Sequence, residues 1–176
     1  MKDLLLALPR LARMLVSLAG DRDVPTSAKL VLAAVAVFAA VSFGVHARLQ
    51  GTIRAPHSIQ VNGQPFPLDR GRVLLYFFDP ECTHCNDAAR EMAKVSWNDV
   101  RIVGIVTEQP QFSQYFMDST GLRAPVSSDQ ALLRKTFSFS TTPYAVALVN
   151  GRQKEALSDF QAARLQAALR RIAFIR

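Results

Sequence analysis

The chain has 176 residues, 49% of them apolar, and a formal charge of +7. That length holds one domain and an accessory segment. The basic excess divides into +2 over residues 1–47 and +5 over residues 48–176. Its members are scattered, with no basic run interleaved with aromatics, so a nucleic-acid partner has no support. Attraction to anionic lipid head groups explains the charge more simply.

Residues 1–20 are amphipathic. Leu4, Leu8, Leu11, Leu15 and Leu18 recur on one helical face, away from Lys2, Arg10 and Arg13. The expectation is a cytoplasmic amphipathic segment over residues 1–27, lying on the membrane surface or packed on a partner helix. Leu30–Ala47 then runs for 18 residues without a formal charge, enough for about 27 Å of helix. Lys29 and Arg48 flank it and can reach the head groups. A single transmembrane anchor is expected over residues 28–47. The competing readings are a buried core helix and a cleaved signal peptide ending at Val45-His46-Ala47. Lys2, Arg10, Arg13, Arg22 and Lys29 precede the span, and Arg48 and Arg54 follow it. The positive-inside rule therefore leaves the N-terminus in the cytoplasm and exports the rest. In a bacterium, that makes a single-pass inner-membrane protein with its C-terminal domain in the periplasm or outside.

Residues 48–57 read as a linker and residues 58–176 as the exported domain. Ser58–Val61 and Gln64–Leu68 flank Asn62-Gly63, the signature of a type I′ hairpin. Val73–Phe78 is an apolar run expected as a buried strand, and Asn86–Val95 a helix with Ala88, Ala89, Met92 and Val95 on one face. Arg101–Thr107 is a second strand, Phe112–Thr120 a helix closed by Gly121, and Pro125-Val126 a short extended piece. Gln130–Phe137 is another helix. Tyr144–Val149 and Arg152–Leu157 are strands joined by Asn150-Gly151. Ser158–Gln161 fits a capping box opening a last helix, which carries Leu165, Leu169 and Ile172. Helix-linked early strands imply parallel pairing, and the late hairpin an antiparallel pair, so the fold class is α/β with a mixed sheet.

The chemistry concentrates at Cys82-Thr83-His84-Cys85, which holds the only two cysteines. A Cys-x-x-Cys between a strand and a helix is the layout of a dithiol redox centre. It places the sulfurs by the helix's first turn, where free N–H groups and the dipole favour a thiolate. Zinc would need two more ligands, and the candidates His46 and His57 fall at the membrane and in the linker. Haem attachment would need His where Asn86 stands. No metal and no cofactor are expected. A cationic His84 would stabilise neighbouring thiolates and favour oxidising behaviour, while a neutral, exposed His84 would do little. Glu81 places a carboxylate beside the first cysteine, which opposes its thiolate. Thr83 shapes the dipeptide turn.

The order of elements, the Cys-x-x-Cys opening the first helix, and Thr142-Pro143 ahead of the late hairpin resemble the thioredoxin fold. Within it the chain is most similar to membrane-anchored, exported proteins of the TlpA type. Val73–Cys85, Arg101–Glu108 and Phe137–Gly151 carry the likeness, which covers residues 58–176. The resemblance implies a thiol–disulfide oxidoreductase in which Cys82 attacks a partner and Cys85 resolves the mixed disulfide. It also implies a cis peptide before Pro143, with the Thr142 backbone binding substrate. The implied partners are exported protein thiols or disulfides and a membrane electron donor or acceptor, beside membrane lipid. The chain departs from the family in three ways. Glu81 replaces the usual Trp, Thr83-His84 lacks the usual Pro, and Tyr76 stands where thioredoxins carry a buried Asp. His84 is similar to DsbA-type oxidants, so electron flow in either direction stays open, with reduction of exported proteins favoured. Two other readings fit less well. A peroxidase would need Pro and Thr/Ser where Leu75 and Asp79 stand, and a Sco-type copper carrier would need a distal His. An assembly subunit with incidental thiols is the remaining alternative.

Overall fold

A computed structural model describes residues 53–176, together with Val31, Ala34, Val35, Val37 and Phe38. The chain divides into two compact units, Met1–Arg48 and Leu49–Arg176. In the first, the five described residues are helical and exposed, Phe38 to 75%. The rest of the expected anchor, and the amphipathic segment before it, lie outside the described residues. Among the described residues, no helix is long and apolar enough to cross a membrane.

The second unit is built on a five-stranded sheet. Its strands are β3 (Arg72–Phe78), β4 (Val100–Val106), β5 (Val126–Ser127), β6 (Tyr144–Val149) and β7 (Arg152–Leu157), in the order β5-β4-β3-β6-β7. β3 pairs parallel with β4 and antiparallel with β6, and β6 pairs antiparallel with β7. The sheet is therefore mixed in the sense expected. The piece read at Pro125-Val126 forms β5, a short parallel edge on β4. A separate hairpin joins β1 (Ser58–Val61) and β2 (Gln64–Pro67). Asn62 and Gly63 take φ of 52° and 74° at its turn, as Asn150 and Gly151 take 49° and 73° between β6 and β7. These are the positive angles that a two-residue hairpin turn demands.

β3 lies at the centre of the sheet, and Val73–Phe78 are fully buried on both faces. Its side chains alternate between two cores, as strand geometry requires. Leu74, Tyr76 and Phe78 pack with α1 (Thr83–Ala93), α2 (Ser113–Thr120) and α4 (Ala162–Arg171). Val73, Leu75 and Phe77 pack with the hairpin and α3 (Gln130–Phe137). Gly104 in β4 lets α2 approach closely: a Cβ there would collide with Met117 Cε and press on the Phe78 ring.

Three details differ from expectation. Residues 53–55, read as linker, pair along the start of β7, through Gln153 N–H to Ile53 O (3.0 Å) and Ala55 N–H to Gly151 O (2.8 Å). The first backbone groups of that edge strand are paired in this way. The dithiol helix begins at Thr83, three residues early, because Cys82 itself caps it. The capping box does not form. α4 begins at Ala162 with no side-chain cap, and Asp159 instead accepts from the Gln161 N–H at 3.1 Å.

Candidate active site

The end of β3 fixes the dithiol. Thr107, just past β4, binds the Phe78 carbonyl twice, through its N–H (2.9 Å) and its hydroxyl (3.0 Å). The chain then turns tightly. Asp79 accepts from the Glu81 N–H through its carboxylate at 3.0 Å and from the Cys82 N–H through its carbonyl at 3.1 Å. A short Asp side chain suits such a turn, because it satisfies backbone two residues on. Gln109 Nε2 donates to the Glu81 carboxylate. Both carboxylates near the first cysteine are therefore engaged away from it.

Cys82 occupies the N-cap position of α1, with φ −80° and ψ 116°, and its Sγ accepts from the Cys85 N–H at 3.2 Å. A sulfur thus does the work usually given to a Ser or Asp oxygen at this position. Cys82 is half-buried and Cys85 fully buried, and both are free thiols. The two thiols lie within hydrogen-bonding reach of one another. Burial pushes the Cys85 thiol up to about 12, with the neighbouring Cys82 adding to the rise, while the Asp79 backbone N–H and the Thr142 hydroxyl oppose it. Thr83 and His84 are exposed on the first turn of α1.

The Thr142–Pro143 peptide is cis. Through the Thr142 hydroxyl, this loop contacts the buried thiol directly. Phe137 and Phe139 are buried in the core on the far side of β3, and Tyr144 is packed against it. Phe139 stacks on Tyr144 at 5.3 Å and meets Phe77 at 4.2 Å.

An open groove of about 770 Å³ reaches His84 and Pro143, the neighbours of the dithiol in the chain and in the loop, and is lined by neither cysteine. One wall is a face of α1, with His84, Asp87, Ala88 and Glu91, and the other is Pro143 with Ser158–Ala162. The first wall has a signature in the sequence, because positions 84, 87, 88 and 91 follow the i, i+3, i+4, i+7 spacing of one helical face. The second wall has none, since residues 158–162 reach the site only through the β6–β7 hairpin. The structure thus brings Cys82, Cys85, His84, Thr142 and Pro143 together, while Glu81 and Thr83 are exposed on either side of Cys82 and do not line the groove. Sequence reasoning missed Phe160, Asp87, Glu91 and the direct contact of Tyr76 with Cys85. Among the described residues, no cluster of three or more His, Cys, Asp or Glu is placed to hold a metal ion.

A mixed sheet with a strand–dithiol–helix junction and a cis-Pro loop facing the sulfurs defines a thioredoxin-like fold, and solved structures agree. A secreted disulfide oxidoreductase of Mycobacterium tuberculosis, homologous to E. coli DsbE, superposes with a TM-score of 0.56 at 19% identity, covering 65% of this chain and 93% of that one. StoA from Bacillus subtilis gives 0.50 at 17% identity, over 66% and 97%. The thioredoxin domain of a Bacteroides vulgatus thiol-disulfide oxidoreductase gives 0.50 at 14%, over 68% and 96%. No protein-family model matches the chain, and no curated protein sequence does.

Proposed function

We propose that this protein is a membrane-tethered thiol–disulfide oxidoreductase acting on polypeptides outside the cytoplasm. The observation that carries the reading is the asymmetry of the two sulfurs. A half-exposed Cys82 at the cap of α1 can meet a partner, whereas Cys85 is buried and lies within reach of the Cys82 thiol. The solvent-side sulfur therefore attacks a partner's disulfide and forms a mixed disulfide. Cys85 then attacks Cys82 Sγ, closes the Cys82–Cys85 bond and releases the reduced partner. The Thr142 backbone, beside Pro143, offers strand-like hydrogen bonds to a peptide in the groove. His84 tunes the couple from the groove wall, while Glu81 and Thr83 flank Cys82. The tether is the apolar run at residues 28–47, and the basic residues before it support export of the dithiol domain.

The direction proposed is reduction of exported proteins, with electrons delivered by a membrane partner. Equilibration of the full chain with glutathione buffers tests it. A potential near the thioredoxin end, about −270 mV, supports the reductant, and one near the DsbA end, about −120 mV, reverses the direction. Cys85→Ser is expected to trap exported proteins on Cys82. An empty trap would overturn the resolving role. A reporter enzyme fused at the C-terminus checks the topology and is expected to be active only outside the cytoplasm.

A further inference from the structure

Tyr76 stands in β3, below the helix that carries the dithiol. The residue is fully buried, and its hydroxyl donates to the Cys85 carbonyl oxygen at 2.6 Å. Its ring stacks on Phe78 at 5.7 Å and meets Phe160 of the groove wall edge-on at 5.9 Å. The hydroxyl also bears directly on the Cys85 thiol. The other groups bearing on that thiol are the Cys82 thiol, the Asp79 backbone N–H and the Thr142 hydroxyl. None of these is a carboxylate or an imidazole. The Asp79 carboxylate is held by the Glu81 N–H, and the Glu81 carboxylate by Gln109.

We propose that Tyr76 is a positioning residue for Cys85: its hydroxyl, bonded to the Cys85 carbonyl, ties the first turn of α1 to β3 and holds the buried sulfur for closure of the Cys82–Cys85 bond, the base-dependent half of the exchange. This rests on the dithiol reading above.

The step balances without a further reagent. The mixed disulfide Cys82–S–S–R meets the Cys85 thiol, which gives its proton to hydroxide. The thiolate attacks Cys82 Sγ, the bond to R breaks, and R leaves as a thiolate that takes a proton from water. Two electrons pass from the cysteine pair to the partner's sulfur. Tyr76 cannot accept the thiol proton as a phenolate. Burial holds its own proton far above the ordinary range, and that proton is directed at the Cys85 carbonyl. The hydroxyl instead ties the first turn of α1 to β3, and so fixes the sulfur that stands on that turn. Burial also makes the Cys85 thiolate scarce, and this cause persists when Cys82 is occupied by a partner.

A single-turnover measurement tests the proposal. The reduced full chain is mixed with a peptide disulfide whose leaving thiol is fluorescent, and attack and release are followed from about pH 6 to about pH 9. Wild-type release is expected to speed up about tenfold per pH unit, as the thiolate fraction does below its pKa. Tyr76→Phe should slow release about fivefold to tenfold at every pH, the worth of one hydrogen bond. It should leave the slope unchanged, and leave attack, read in the Cys85→Ser background, unaltered. Tyr76→Asp, which puts a carboxylate beside the thiol, should speed release at neutral pH and flatten the profile. If that variant does not fold, Tyr76→Phe decides alone. A pH-independent wild-type release, or a Tyr76→Phe that slows attack and release alike or neither, overturns the role of Tyr76 and leaves the dithiol reading standing. Absence of any mixed disulfide overturns both.

Discussion

The two faces of the central sheet are filled by the same strand and serve different ends. On one face, Val73, Leu75 and Phe77 meet the β1–β2 hairpin and α3 in a core of aliphatic and aromatic side chains, with Tyr144 packed at its edge. On the other, Leu74, Tyr76 and Phe78 meet α1, α2 and α4, and that core contains a thiol and a phenol. The first face can be maximally packed because nothing in it must react. The second must keep a buried thiol, a hydrogen-bonded hydroxyl and an open groove together, and each costs packing that aliphatic side chains would have supplied. The comparison teaches where stability and chemistry reside. Damage to the first face should unfold the protein, whereas changes at the edge of the second should silence it and leave it folded.

The sharpest break in that comparison is Cys82→Ser. Disulfide exchange should be lost completely with the thermal midpoint nearly unchanged, as read by peptide exchange beside a melting curve. The converse is Phe77→Ala on the inert face. It should cost roughly 3–5 kcal/mol of stability in urea unfolding, the usual cost of emptying a buried aromatic site. Gly104→Ala crowds Met117 and Phe78 on the reactive face. A loss of roughly 1–3 kcal/mol is expected, moderated because a Met terminus can move.

A pH titration of stability distinguishes the faces again. Cys85 has its proton affinity raised by burial from 9.0 to about 12. The unfolded chain therefore releases this proton first, and the contribution, complete below pH 9, is lost as pH rises toward 12. Reduced protein should lose stability across that interval, and Cys85→Ala should lose less of it. Tyr76 and Tyr144, both raised chiefly by burial, act with the same sign at higher pH. The smallest effect is expected at Lys94→Ala, which removes the exposed Lys94–Glu91 pair. A change below about 0.5 kcal/mol is expected, since exposed i,i+3 pairs gain little in water.

Much of this architecture was legible in the chain because local rules and tertiary demands agree. The strand–Cys-x-x-Cys–helix junction, both Asn-Gly hairpins, and the bounds of α3, β6 and β7 follow from periodicity and turn chemistry. The failures are local devices decided by contact. Ser158–Gln161 has the composition of a capping box, but Asp159 binds the Gln161 N–H and Arg164 and leaves Ser158 exposed. The start of α1 shifted because a thiol can cap a helix, which oxygen-based capping preferences do not anticipate. Residues 53–55 looked like a linker because a strand edge adds backbone pairs without a hydrophobic signature.

The sequence alone determined which atoms could react. Two sulfurs one helical turn apart after an apolar strand have no other partners of their kind, and turn residues and periodicity set the sheet around them. Tertiary structure decided what surrounds those sulfurs: a phenol under Cys85, a cis Thr142–Pro143 loop against it, and a groove wall from residues 158–162. The physical reason is range. Spacing and propensity act over a few residues, whereas burial, proton affinity and groove shape are set by groups dozens of positions apart that meet only when the sheet is closed.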